Sequence, residues 1–229
     1  MRRQFLGSGG AQSGELPVKD TCAFIVANLR LQPAPGLPSI LLYIAHPGSG
    51  LSRLGAGKSN DPPPYWAYGW AGGTVLAHHI LKHPDIVRGR RVLDLGAGSG
   101  VVAISAARCG AAGVTAADID ENAISAVALN AEANRVAVET LHDDLLLGPP
   151  PAVDIILAGD LFYDQALAER ALPFLAACRT VGIDVLIGDP RRATLPESRL
   201  RLIAEYMVPD FGNALEGRIV LGGVFTIAD

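Results

Sequence analysis

The chain has 229 residues, which suits one large domain or one domain with a short appendage, and 49% of them are apolar, enough to bury a sizeable core. No apolar run approaches the roughly 18–20 residues of a membrane span, and the longest, Ser39 to Ala45, is strand-sized. The net charge of −4 is uneven: residues 1–60 hold six Lys/Arg against Glu15 and Asp20, and residues 61–229 hold thirteen against twenty-one Asp/Glu. An acidic main region repels phosphate backbones, so the balance argues against nucleic acid and for a locally cationic partner.

Residues 1–20 read as a flexible tail. Arg2 and Arg3 lead into Gly, Ser and Gln without the apolar stretch of a secretory signal, and a cytoplasmic setting is the expectation. Thr21 to Leu31 places Phe24, Ile25, Ala27, Asn28 and Leu31 close to helical spacing, with Thr21 as cap. Ser39 to Ala45 reads as a strand, and His46 to Pro64, dense in Gly, Ser and Pro, reads as loop. Residues 21–64 thus form an appendage to a domain over 65–229.

That domain alternates regularly. Helices are expected at Gly72–Lys82, Val101–Cys109, Glu121–Asn134 and Gln165–Cys178. Between them fall short apolar strands at Arg91–Leu95, Val114–Ala117, Val138–Leu141, Val153–Leu157 and Val185–Ile187. Short apolar strands alternating with helices imply an α/β fold, a doubly wound, Rossmann-like parallel sheet covered on both faces. Glu205–Val208 and Arg218–Ile227 break the rhythm: with no crossover helix between them, they read as an antiparallel C-terminal strand pair.

Asp94-Leu95-Gly96-Ala97-Gly98-Ser99-Gly100 links the Arg91–Leu95 strand to a helix. A dinucleotide fingerprint needs GxGxxG, but the third position here is Val101 and the glycine falls one place early. The resulting DxGxGxG resembles the cofactor loop of class I S-adenosylmethionine methyltransferases, whose ligand has no pyrophosphate for the helix terminus to bind. The resemblance implies that the acidic Asp94 engages the ligand's ammonium group, directly or through water. Asp118 ends the next strand, where a carboxylate can accept both ribose hydroxyls, and Asp143 follows the third strand, where the resemblance gives it the adenine amino group.

Two other motifs fail. Gly57-Lys58-Ser59 imitates the end of a P-loop, but Ser52 stands where a glycine is required and prolines follow where a helix should begin. His79 and His83 have metal-ligand spacing, with His78 beside them, yet no Glu occupies the zincin position and no Cys supports a site, so no metal is expected. Cys22, Cys109 and Cys178 are scattered and suit a reducing compartment.

The acceptor is addressed by two further segments. Tyr65, Trp66, Tyr68 and Trp70 crowd the entry to the Gly72–Gly73 helix, and Gly159-Asp160-Leu161-Phe162-Tyr163-Asp164 follows the fourth strand at its carboxyl edge. Together with Asp118-Ile119-Asp120 and Ile187-Gly188-Asp189-Pro190, they resemble the seven-β-strand protein-lysine methyltransferases, specifically the electron transfer flavoprotein β-subunit lysine methyltransferase family. The likeness covers about Pro62 to Pro190 and departs at the Gly-rich loop His46–Asn60 and the first twenty residues. It implies a seven-stranded fold, S-adenosylmethionine as cofactor with S-adenosylhomocysteine as product, and the flavoprotein β-subunit as protein partner. It makes Asp160 and Tyr163 the catalytic D-x-x-Y pair, sets Trp70 and Gly159 against the cofactor, and leaves Tyr65, Trp66 and Phe162 to the substrate.

An ammonium of pKa about 10.4 has no lone pair, so the acceptor lysine must first lose a proton. Asp160 is expected to position the amine and assist that loss through water, with Tyr163 walling it. A small-molecule N-methyltransferase and a non-catalytic cofactor-binding module are the alternatives.

Overall fold

The computed structural model describes residues 20–54, 63–210 and 218–228. The tail over 1–19 and the Gly57-Lys58-Ser59 segment lie outside the described residues.

Helix α1 (Thr21–Asn28) leads into a hairpin of β1 (Arg30–Ala34) and β2 (Leu37–Ile44). Then follow α2 (Ala71–Lys82), β3 (Arg91–Leu95), α3 (Val101–Arg108), β4 (Gly113–Asp118), α4 (Glu121–Ala133) and β5 (Glu139–His142). The chain closes with β6 (Ile155–Gly159), α5 (Gln165–Thr180), β7 (Asp184–Asp189), β8 (Leu200–Asp210) and β9 (Arg218–Ile227). The main sheet has seven strands in the order β5-β4-β3-β6-β7-β9-β8. Strands β3 to β7 pair in parallel, while β9 pairs antiparallel with both β7 and β8 and so runs against the other six. The expected antiparallel C-terminal pair is therefore present as β8 and β9. Strand order reverses between β3 and β6, and at such a switch point the crevice beyond the carboxyl ends is the place for a ligand.

The core explains the apolar runs. Strands β3 and β6 are buried at all but one residue each because helices cover both faces of the sheet. Helix α3 is buried from Val101 to Ala106, apolar nearly all round, because β2 covers the side turned away from the sheet. Asparagines of α4 fasten that cover. Asn134 Oδ1 accepts the Leu41 N–H at 2.9 Å, Asn130 Oδ1 accepts the Tyr43 N–H at 2.8 Å, and Asn134 Nδ2 donates to the Leu41 carbonyl. β2 thus shares a core with the sheet and α3, whereas α1 packs with Trp66, Ala67 and α4 in a cluster of its own.

The structure moves the expected bounds most at α1 and β8. Helix α1 stops at Asn28, because Leu29 is already extended and Arg30–Ala34 forms β1. Its cap is Asp20, whose Oδ1 accepts the Ala23 N–H at 3.0 Å, whereas Thr21 Oγ1 donates to Asn122. Strand β8 extends over Leu200–Asp210, well beyond Glu205–Val208, since an edge strand with irregular pairing between Leu202 and Ala204 shows no clean alternation. Among the described residues no helix is long and apolar enough to cross a membrane.

Candidate active site

A cavity of about 420 Å³ opens at the switch point, lined from one side by Asp94, Gly98, Asp118 and Asp143 and from the other by Trp70, Gly159, Asp160, Tyr163 and Arg192. Its first half is built locally. In the β3–α3 loop Gly96, Gly98 and Gly100 all have positive φ, and a Cβ on Gly100 would press on Val127 of α4 at 3.1 Å. The turn directs the Gly98 N–H onto Asp118 Oδ2 at 2.9 Å, and the Asp120 N–H takes Oδ1 at 2.9 Å. Each oxygen keeps a lone pair for a ligand, so the carboxylate is oriented without being saturated. Burial raises the Asp118 pKa, against the pull of those two N–H donors.

Asp94 is only 1% exposed. Its Oδ2 accepts the Ala103 N–H at 2.9 Å in the first turn of α3. Burial pushes its pKa up to about 7, opposed by that N–H and reinforced by Asp118. A buried carboxyl poised near neutrality is a receptor for a cation, which would return it to the ionised form. Asp143 lies at the exposed end of the cavity, its Oδ1 accepting the Asp144 N–H at 2.8 Å. Beside it Asp144 pairs with Arg170 of α5 at 2.5 Å, and both line the cavity; neither was anticipated from sequence.

The second half is assembled from distant elements. The first turn of α2 lies directly on the carboxyl ends of β6 and β7. A Cβ on Gly72 would come within 2.3 Å of the Gly188 carbonyl oxygen, and one on Gly159 within 2.7 Å of Gly73 Cα. This approach lets the Gly73 N–H donate to Asp160 Oδ2 at 2.8 Å. Asp160 holds a left-handed backbone (φ +53°) while its own N–H donates to the Gly188 carbonyl at 2.9 Å. On its other oxygen, Oδ1, sits the guanidinium of Arg192, through Nη2 and, at 3.2 Å, Nε. Burial raises the Asp160 pKa, while Arg192 and the Gly73 N–H draw it back.

Aromatic rings wall this half. Tyr163 is 48% exposed, and its ring lies 5.1 Å from that of Tyr65. Trp70 meets Tyr65 edge-on at 5.7 Å and donates Nε1–H to the Tyr65 carbonyl at 2.7 Å. Of the other two expected substrate contacts, Phe162 lies outside the cavity and Trp66 lies at its edge. Phe162 is fully buried in the core on the α5 side of the sheet, because the left-handed turn at Asp160 sends Leu161 and Phe162 inward together. Trp66 is 2% exposed and packs among Phe24, Ile25, Ala123 and Ala126, behind Gly98. It borders the cavity on the cofactor-loop side, and its Nε1 is without a hydrogen-bond partner among the described residues.

Arg192 was missed altogether. The available signal was an apolar strand ending in Gly188-Asp189-Pro190 and followed at once by two arginines at the carboxyl edge. The histidines form a packing cluster: His79 is 5% exposed with Nδ1 2.9 Å from the Tyr206 hydroxyl, and burial lowers its pKa to about 4. Among the described residues no group of three or more His, Cys, Asp or Glu is placed to hold a metal.

The strand order, with β9 alone reversed and a glycine-rich loop opening onto the β3–β6 switch point, is that of the class I methyltransferase fold. Magnesium protoporphyrin IX methyltransferase from Synechocystis shares this fold at a TM-score of 0.50 and 15% identity, over 68% of this chain and 79% of that one. The family model described as ribosomal protein L11 methyltransferase matches residues 73–162. A Danio rerio protein named electron transfer flavoprotein beta subunit lysine methyltransferase is 42% identical over 215 residues, 91% of this chain and 81% of the relative. The Xenopus laevis protein of the same name is 37% identical over 83% of this chain and 80% of its own. The chain belongs to the electron transfer flavoprotein β-subunit lysine methyltransferase family and is a methyltransferase.

Proposed function

We propose that the protein is an S-adenosylmethionine-dependent protein-lysine N-methyltransferase that acts on the β-subunit of electron transfer flavoprotein. The observation that carries this reading is the juxtaposition, across one cavity, of the Asp94–Asp118 loop and the Asp160–Tyr163 edge. The relatives' names supply the acceptor.

The residues present suit the cofactor. Asp118 retains acceptor capacity on both oxygens for a diol, Asp94 is a buried acid suited to an ammonium group, and Asp143 offers an exposed carboxylate on the same cavity to an exocyclic amine. Gly159 and Trp70 border the neighbouring wall. When bound, S-adenosylmethionine supplies an electrophilic methyl group, and S-adenosylhomocysteine remains after transfer.

The chain's own residues prepare the amine. Tyr65, Trp70 and Tyr163 strip water from the incoming side chain, which lowers its pKa from about 10.4 toward the neutral form. Asp160 accepts a hydrogen bond from the amine and aims its lone pair, while the proton passes to water. Alignment of this kind can supply several kcal/mol of the barrier, of the order of 7 kcal/mol or more for well-oriented reactants.

Incubation of the full chain with labelled cofactor and purified electron transfer flavoprotein, followed by peptide mass spectrometry, tests the reading. Methyl groups on β-subunit lysines are expected. Label confined to free amines in an extract would replace it with a small-molecule N-methyltransferase, and cofactor binding without turnover on any extract would leave a binding module.

A further inference from the structure

A bare carboxylate beside the acceptor amine would work against the reaction, because it stabilises the ammonium and holds back the proton that must leave. Asp160 is not bare. Arg192 contacts Oδ1 through Nη2 and Nε, with the Arg192 side chain 23% and the Asp160 side chain 13% exposed. The backbone is bent from both sides to make this contact. Asp160 lies at φ +53° and Arg191, immediately before Arg192, at φ +62°. Non-glycine residues held in the left-handed region cost about 1–3 kcal/mol each and persist only where their surroundings impose them.

The groups around the pair fix it further. Asp189, wholly buried at the end of β7, accepts the Arg192 backbone N–H on Oδ1 at 2.7 Å. Asp210 at the end of β8 lies 3.9 Å from the guanidinium and accepts the Ala71 N–H of α2 at 3.2 Å. The guanidinium also lies over the Trp70 ring, 5.7 Å from its centroid, so it belongs to the wall of the acceptor pocket. The charged groups facing Asp160 are therefore Arg192, Asp189 and Asp210, joined by the Gly73 N–H of α2, with the Tyr163 phenol in the same cavity.

We propose that Arg192 is a positioning residue that cancels the charge of Asp160, so that Asp160 aligns the acceptor amine without retaining its proton. The inference rests on the reading that Asp160 faces that amine. It separates two jobs a lone aspartate would confuse: direction comes from the carboxylate, and relief of its charge at the amine comes from Arg192.

The test compares full-length wild type, Arg192→Gln and Arg192→Lys, with kcat measured across pH on purified electron transfer flavoprotein. In Arg192→Gln the apparent pKa of the kcat profile is expected to rise by about one unit, so that kcat near neutrality falls about tenfold and the deficit closes in alkali. Arg192→Lys, which keeps the charge, restores the wild-type profile, and cofactor affinity stays unchanged in both. A loss equal at every pH, or no loss, overturns the proposal and leaves Arg192 a structural strut. A second measurement needs no acceptor: the Asp160 carboxyl is titrated by carbon NMR in the cofactor-loaded protein. Its pKa should rise by about one unit or more in Arg192→Gln, and an unmoved titration overturns the proposal. Wild type that methylates no β-subunit lysine would overturn the acceptor reading instead, and the carboxyl titration would still decide the role of Arg192.

Discussion

The two halves of the cavity are built in different ways. On the cofactor side Asp94, Asp118 and Asp143 are held by backbone N–H groups of the loops at their own strand ends: Asp94 by Ala103, Asp118 by Gly98 and Asp120, Asp143 by Asp144. On the acceptor side Asp160 is held by Gly73 of α2 and Arg192 beyond β7, partners far along the chain, and at a strained φ. A ligand-binding half made of turns at neighbouring strand ends needs only β3, β4 and β5 to pair. A reacting half made of long-range contacts depends on the whole sheet edge being in place, and perturbing it should alter transfer while sparing the cofactor.

Asp160→Ala is the sharpest way to break that division. Methyl transfer is expected to fall by about 10²–10⁴-fold with cofactor affinity within about twofold of wild type, read by labelled transfer beside calorimetric titration. Full activity in the variant would remove Asp160 from the reaction. The mirror change, Asp118→Ala, should weaken cofactor binding by about 2–3 kcal/mol, because one carboxylate serves two hydroxyls, while thermal stability changes little. An unchanged dissociation constant would relocate the ribose.

Gly72→Ala probes the seam that supports the acceptor half. The added methyl meets backbone, 2.3 Å from the Gly188 oxygen and 2.7 Å from the Asp160 N, so no side-chain rotation relieves it. A loss of about 1–3 kcal/mol in chemical denaturation is expected, with transfer impaired more than cofactor binding. Stability equal to wild type would mean that α2 does not sit on the strand ends.

The smallest effect is in pH. Asp94 is pushed up to about 7 by burial, and an ammonium ligand needs its carboxylate, so cofactor affinity should fall by up to about tenfold per unit below pH 7 and level off above it. For folding the sign is opposite. Asp94 and Asp189, both near 7 when folded against 3.8 unfolded, bind more protons in the native state, so they lower the stability of the cofactor-free protein as pH rises from about 4 to 7. Scanning calorimetry with and without cofactor separates the two trends. Affinity independent of pH between about 5 and 8 would mean that Asp94 does not meet the cation.

Much of this was legible in the sequence, and the division between the halves explains what was not. Strand β3 begins and ends where the apolar run Arg91–Leu95 does, and β9 spans the expected Arg218–Ile227. The spacing from Gly98 to Asp118 is legible because the loop after β3 and the end of β4, two adjacent parallel strands, meet there. Strand β1 left no signal: it is exposed along Arg30–Pro33 and carries Pro33, so neither burial nor alternation marks it. Phe162 was misplaced because alternation fails once Asp160 turns left-handed. The pairing of Arg192 could not be read because its partner lies 32 residues earlier on another strand end, and only the fold brings β6 and β7 together.

Single-turnover transfer tests the central claim most directly. Wild type and Asp160→Ala are preloaded with labelled S-adenosylmethionine to equal occupancy and mixed with purified electron transfer flavoprotein. The expected result is label on β-subunit lysines from wild type alone, with the variant retaining its labelled cofactor. Equal transfer by both proteins, or no β-subunit lysine labelled by the loaded wild type, would contradict it.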